Sequence, residues 1–230
     1  MLSSGRSKSL AMPRLQRPAP LRERIYEALL ELIITRALEP GQHLIENELA
    51  AHLGTSRQPV REALQRLSTE GWVDLRPALG AFVHTPTVEE ADQLLAVRTM
   101  LETESARLAA TNAAPANIER LRELCRQGEQ ASAAEDVDGV VAANAALHAA
   151  VTEFSGNKVL AELTAQVDRR VRWYYTPVAR QRGQASWTEH AALIDALAAH
   201  DGERAAQIMR AHTEQTRRSY HQRLAAENEG

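Results

Sequence analysis

The sequence predicts a mostly helical protein in two parts, a small head with one β-hairpin followed by an all-helical bundle. Three observations carry this. Apolar residues make up 44% of the chain and aromatics only 4%, a balance that suits helix packing better than a β-sandwich. Apolar and polar residues alternate in strand fashion only within residues 73–84, and the chain after Pro86 is broken at helix-length intervals. At 230 residues the chain exceeds one typical domain and buries a sizeable core.

Composition narrows the function classes. The net charge of −3 conceals a split: residues 1–85 hold 11 Lys+Arg against 9 Asp+Glu, whereas residues 86–230 hold 16 against 21. The basic excess therefore lies in the head. The single cysteine, Cys125, excludes an internal disulfide and suits a reducing compartment. No apolar run approaches the length of a membrane span, and the N-terminus lacks the hydrophobic centre of a signal peptide. The expectation is a soluble cytoplasmic protein with no membrane partner.

Residues 1–19 carry Arg6, Lys8, Arg14 and Arg17 with no acid, and they read as a flexible basic arm. Residues 20–85 form the head. A helix is expected from Leu21 to about Ala37, ended by Pro40-Gly41. The stretch Glu46 to Gly71 reads as two short helices joined by a tight turn. In the second, Val60, Ala63, Leu64 and Leu67 make one buried stripe, Ser56 stands as its N-cap and Pro59 lies in the first turn. Arg57, Gln58, Arg61 and Gln65 then project away from that stripe at about 100° per residue. Such a ridge is either a solvated face or a reader of base edges in a major groove. Val73 to Arg76 and Ala81 to His84 form the hairpin, and a hairpin placed directly after a helix-turn-helix is a winged helix.

Residues 86–226 form the bundle. Helices are expected near 88–112, 116–134, 137–155, 158–181, 187–200 and 202–226, six or seven in all, running antiparallel through short connections. Three histidines fall on apolar faces of separate helices. His148 lies among Val140, Val141, Leu147 and Val151; His190 aligns with Ile194 and Leu197; His212 follows Ile208 and Met209. Asn144 precedes His148 by one turn and shares its face. Three such imidazoles with an oxygen donor suit a divalent first-row metal, zinc or nickel foremost. The alternative is a set of hydrogen-bonded core histidines. Arg98 falls among Leu94, Leu95 and Leu101, so its guanidinium needs a buried anion: Glu102 one turn later, or a bound small carboxylate. Arg169, Arg170, Arg172, Trp173 and Tyr175 fit a pocket wall or a surface equally well. No carboxylate is evidently paired with the histidines, which counts against the rival reading of a metal-dependent enzyme. A further rival is a DNA-binding protein whose pocket is purely structural.

Two resemblances sharpen these expectations. The SRQPVREAL, EGWV and GAFV segments, within residues 20–84, resemble the DNA-binding domain of the GntR family of bacterial transcription regulators. That resemblance implies contacts to a double-stranded DNA operator from Ser56, Arg57, Gln58 and Arg61, with Gly80 at the wing tip. Asn47 departs from the arginine that relatives often carry there. The segments LLAVRTMLETESARLAA, NAALHAAVTEFSGNKVL and EHAALIDALAAHDGERAAQIMRAH resemble the effector domain of the FadR subgroup of that family. This second resemblance implies a divalent metal on Asn144, His148, His190 and His212, an organic acid beside it at Arg98, and a homodimer on a pseudo-palindromic operator. The reading is a ligand-responsive regulator, a repressor rather than an activator.

Overall fold

In the computed structural model, which describes residues 20–228, the head and the bundle both form. The basic-arm expectation for residues 1–19 lies outside the described residues. Helix α1, Leu21–Ile34, buries Ile25, Tyr26, Leu29, Leu30, Ile33 and Ile34. It stops three residues short of the expected end. Arg36 turns to φ +62, its N–H bonding to Ile33 O, and the Leu38 N–H bonds to Leu32 O, which closes the last turn before Pro40 is reached.

Helices α2, Glu46–His52, and α3, Arg57–Thr69, follow, and Val60, Ala63, Leu64 and Leu67 are buried on α3. Ser56 occupies the N-cap position of α3 with extended backbone, but its side chain makes no capping bond. The head contains one strand that periodicity could not show. The two-residue β1, His43–Leu44, pairs antiparallel with β3, Gly80–Val83, which also pairs with β2, Val73–Arg76, in the order β1-β3-β2. At Gly80, φ is +102 and an added Cβ would lie 2.9 Å from His43 Nε2, so the start of β3 requires glycine.

Helix α4, Val88–Asn112, opens on a full capping box between Thr87 and Glu90. Five more helices complete the bundle: α5, Pro115–Ala133; α6, Val137–Phe154; α7, Lys158–Tyr175; α8, Ala179–Ala198; and α9, Gly202–Asn228. Helix α4 packs along α9 and also touches α6, α7 and α8. The expected helix 158–181 ends instead at Tyr175, and a single 3-10 turn at Thr176–Val178 leads into α8. Pro177 lacks the N–H that would continue the ladder. The expected break at Gly183 is a kink inside α8, with φ 38 and ψ −135. None of the described helices is long and apolar enough to cross a membrane.

The two parts meet along α7. Trp72 from the head and Trp173 from α7 are both buried, with ring centroids 5.5 Å apart. Arg170 stacks over Trp72 at 4.4 Å and donates to the Glu70 carbonyl, while Arg172 donates to Glu31 at 2.8 Å. These arginines face the head rather than a pocket.

Inside the bundle, α5 meets α8 at Gly128, where an added Cβ would fall 2.0 Å from Trp187 Cη2. The buried indole occupies the space a side chain would need. Gly128→Ala is therefore expected to lower stability by about 1–3 kcal/mol through overpacking. Urea unfolding checks this, and an unchanged midpoint would refute it.

Candidate DNA interface and metal centre

On the head, Ser56, Arg57, Gln58 and Arg61 are all exposed at the start of α3. Between this ridge and the hairpin lies a concave surface of about 570 Å3, lined by Glu46, Asn47, Arg57, Arg61, Arg76 and Gly80 among others. Glu46 organises it. Arg61 donates to both Glu46 oxygens, at 2.8 and 2.7 Å, and Arg57 donates to one at 3.2 Å. The hydrogen bond from Arg61 outweighs burial and, with Arg57 adding, holds the Glu46 carboxyl down to about 2. Gln58 instead donates to Glu62 at 3.0 Å.

Sequence reasoning missed Glu46. It stands 11 and 15 residues before the arginines, and only the turn between α2 and α3 brings them together. It also missed Arg76, which stacks on Phe82 at 4.3 Å and lines the same surface.

In the bundle, the three histidines converge. His148 from α6, His190 from α8 and His212 from α9 are each no more than 2% exposed. His148 Nε2 lies 3.2 Å from His212 Nε2 and 3.2 Å from His190 Nε2, and one ligand atom from each ring falls within 4.8 Å of the others. Asn144 is buried one turn before His148, and its Oδ1 has no partner.

Carboxylates stand behind two of the rings. His212 Nδ1 is 2.7 Å from Glu189 Oε2, and His148 Nδ1 is 2.9 Å from Glu102 Oε2, off the ideal hydrogen-bond direction. An ionised carboxylate only accepts, so it favours the proton on Nδ1 and leaves the Nε2 lone pair pointing inward. Lone pairs that face one another at 3.2 Å repel unless something positive lies between them. Bonds of about 2.0–2.1 Å to one tetrahedral ion set nitrogens about 3.4 Å apart, close to the spacing seen. The donor set thus fits a divalent metal.

The expectation that no carboxylate pairs with the histidines is corrected by Glu102 and Glu189. Both occupy the Nδ1 side, away from the convergent Nε2 atoms.

Arg98 is 2% exposed and donates through Nε to Glu102 Oε1 at 2.9 Å. Its Nη2 lies 3.4 Å from His148 Nε2, and its Nη1 has no partner. Two further groups, the buried Arg182 and the half-buried Asp168, went unread in the sequence. Arg182 pairs with Glu189 and lies 3.4 Å from His212 Nδ1. Asp168, on α7, has its carboxyl pushed up to about 7, first by burial and then by the charge of Glu102, with Arg98 opposing.

Burial, then the neighbouring charges, holds His190 and His212 well below the ordinary 6.5. Both stay neutral at pH 7, as metal ligation requires. Below pH 6.5 the unfolded chain binds protons that the folded chain refuses, so stability present above that value is lost as pH falls. For metal-free protein each histidine contributes about 1.4 kcal/mol per pH unit in that window. Thermal melts from pH 7.5 to 5.5 check this, and a flat profile would contradict it.

Comparison with known proteins agrees with both halves. Residues 21–83 match the gntR family of bacterial regulatory proteins, and residues 93–215 match the FCD domain. An HTH-type transcriptional regulator from an unstable DNA locus of Streptomyces ambofaciens is 35% identical over 137 residues, 59% of this chain and 57% of that protein. McbR of Escherichia coli, an HTH-type transcriptional regulator, is 32% identical over 131 residues, 57% of this chain and 59% of its own length. These alignments therefore span under two thirds of either relative. The solved structure of E. coli McbR/YncC superimposes with a TM-score of 0.79 at 25% identity, covering 90% of this chain and 100% of that one. A GntR regulator from Rhodococcus sp. RHA1 superimposes with a TM-score of 0.74 at 27% identity, covering 86% and 96%. These relatives are transcription regulators, not enzymes. A winged helix-turn-helix joined to an FCD effector domain places this chain in the GntR family of bacterial transcription regulators.

Proposed function

We propose that the protein is a cytoplasmic, homodimeric repressor of the FadR subgroup whose operator binding is set by a small organic acid in the bundle. Arg57 and Arg61 read base edges or phosphates of a pseudo-palindromic operator, Ser56 and Gln58 assist, and Gly80 brings the wing tip to the minor groove. Asn144, His148, His190 and His212 hold a divalent metal, zinc or nickel. Arg98 offers its unpaired Nη1 to the acid's carboxylate. A bound metal supplies a positive charge and open coordination for a carboxylate oxygen.

The observation that carries the reading is that one helix serves both halves. On α7, Asp168 lies within electrostatic reach of Arg98 and Glu102, while Arg170 and Trp173 lock onto Trp72 and Glu70 beside the end of α3. An acid that favours one position of α7 shifts the population toward one placement of the heads, and linkage makes operator affinity change in step. Support for two copies comes from apolar side chains left in water on α4 and α7, two helices that pack together. Met100 is 63% exposed and Val159 64%.

Protein dialysed with zinc or nickel is expected to retain about one equivalent by elemental analysis, and His148→Ala to lose it. Mass photometry is expected to count two protomers per operator duplex. An organic-acid screen by thermal shift, followed by gel shift, is expected to find acids that lower operator affinity. Constant operator affinity across saturating acids would defeat the induction model. Protein that binds no metal, with His148→Ala changing only stability, would leave a DNA-binding protein with a structural pocket.

A further inference from the structure

A groove of about 400 Å3 runs between α6 and α7, lined by Ala149 and Thr152 on one helix and Ala161, Thr164, Ala165 and Asp168 on the other. The alanines leave the space open, and a few polar groups stand in a mostly apolar lining. Several buried hydroxyls of the bundle satisfy themselves on their own helix, though Ser186 is one that does not. Thr99 donates to Leu95 O at 3.0 Å, Thr213 to Met209 O at 3.0 Å and Thr216 to His212 O at 3.2 Å. Thr152 and Thr164 do not. They are 3% and 2% exposed, and both hydroxyls lack a partner.

Asp168 stands one turn beyond Thr164 on the same face of α7. Thr152 extends the stripe of Asn144 and His148 along α6 in four-residue steps, so the groove and the histidine cluster share one helical face. The inner end of the groove lies within electrostatic reach of Arg98 and Glu102.

We infer that the α6–α7 groove is a second subsite of the effector seat, taking a hydroxyl or ammonium group on the chain of a monocarboxylic acid whose carboxylate lies at Arg98. This rests on the carboxylate reading of the Arg98 site. A hydrogen-bond donor on the ligand meets the Asp168 carboxyl, and the two threonine hydroxyls complete its shell. A plain fatty acid leaves the two threonine hydroxyls unpaired, as they already are, and takes water from the Asp168 carboxyl without replacing it. A dicarboxylate sets a second negative charge beside Asp168 and Glu102.

Calorimetric titration of the zinc-treated 230-residue chain tests this with butyrate, 3-hydroxybutyrate, 4-aminobutyrate, succinate and butylamine. The hydroxy or amino acid is expected to bind about tenfold or more tightly than butyrate and succinate, and the better of the two identifies the donor. Asp168→Asn is expected to erase the preference for the hydroxy or amino acid over butyrate. Butyrate binding that depends on Arg98 but gains nothing from a donor would overturn the subsite and keep the carboxylate reading. Butylamine binding that depends on Asp168, with no response to any acid, would keep the subsite and overturn the carboxylate reading. Silence from all five probes overturns both.

Discussion

Replacing Arg57 and Arg61 together by alanine is expected to abolish specific operator binding and leave the fold intact. Both side chains are exposed, and their hydrogen bonds run to Glu46 on the surface rather than into the core. Their loss removes exposed ion pairs, which contribute little to stability. Affinity is another matter. A well-placed bidentate arginine discriminates its base by about tenfold to a hundredfold, so losing two brings an operator close to non-specific DNA. In free protein Glu46 already occupies the Arg61 fork and one Arg57 nitrogen, and DNA must replace or share that partner. Anisotropy titrations against an operator selected from random DNA, at one fixed salt concentration, read the effect. Circular dichroism should show an unchanged melt. Retained operator affinity in the double variant would remove α3 from its assigned role.

The second large effect is on stability. Glu102→Ala leaves the Arg98 guanidinium buried without a counter-charge and removes the carboxylate behind His148. Breaking a buried pair from one side costs about 3–5 kcal/mol, or a fall in melting temperature of about 6–20 °C for a chain of this size. Replacing both partners, as in Arg98→Met with Glu102→Leu, is expected to recover most of that stability while losing the response to acids. This separates folding from function. Calorimetry reads both variants, and a Glu102→Ala melt within about 2 °C of wild type would refute the argument.

The same pair has a pH signature. Burial would raise the Glu102 carboxyl, but Arg98 and His148 together outweigh it and hold the group well below its ordinary 4.5. Its contribution is therefore full above pH 4.5 and is lost as the pH falls through the depressed folded value.

Much of the plan was legible in the chain because it rests on local spacing. The stripe Val60, Ala63, Leu64 and Leu67 marks α3 without reference to anything distant. The alternation at 73–84 marks the hairpin, and the three histidines betray their burial through the apolar residues around them. The convergence of those histidines could be suspected but not measured. Strand β1 is too short to carry a period, and α7 ends early because of Pro177 rather than at a glycine. Glu102 stood as one of two candidate partners for Arg98, yet its second oxygen also faces His148 across 46 positions of sequence. Glu189 stands next to His190 but serves His212. Asp168 drew no reading from the sequence, and packing of α7 against α4 makes it a half-buried carboxyl.

Helix periodicity, capping and turn chemistry act within a few residues, so composition and spacing alone settle the two-part architecture, the winged helix and the inward faces of Asn144, His148, His190 and His212. Distances between side chains from different helices depend on how whole faces interlock, which no local pattern encodes. The Glu46 clasp on Arg57 and Arg61, the carboxylates behind the imidazoles, the α6–α7 groove and the contact of α7 with Trp72 arise at that level. Each forms because apolar burial brings the helices together and leaves their few polar groups to find partners across the gap.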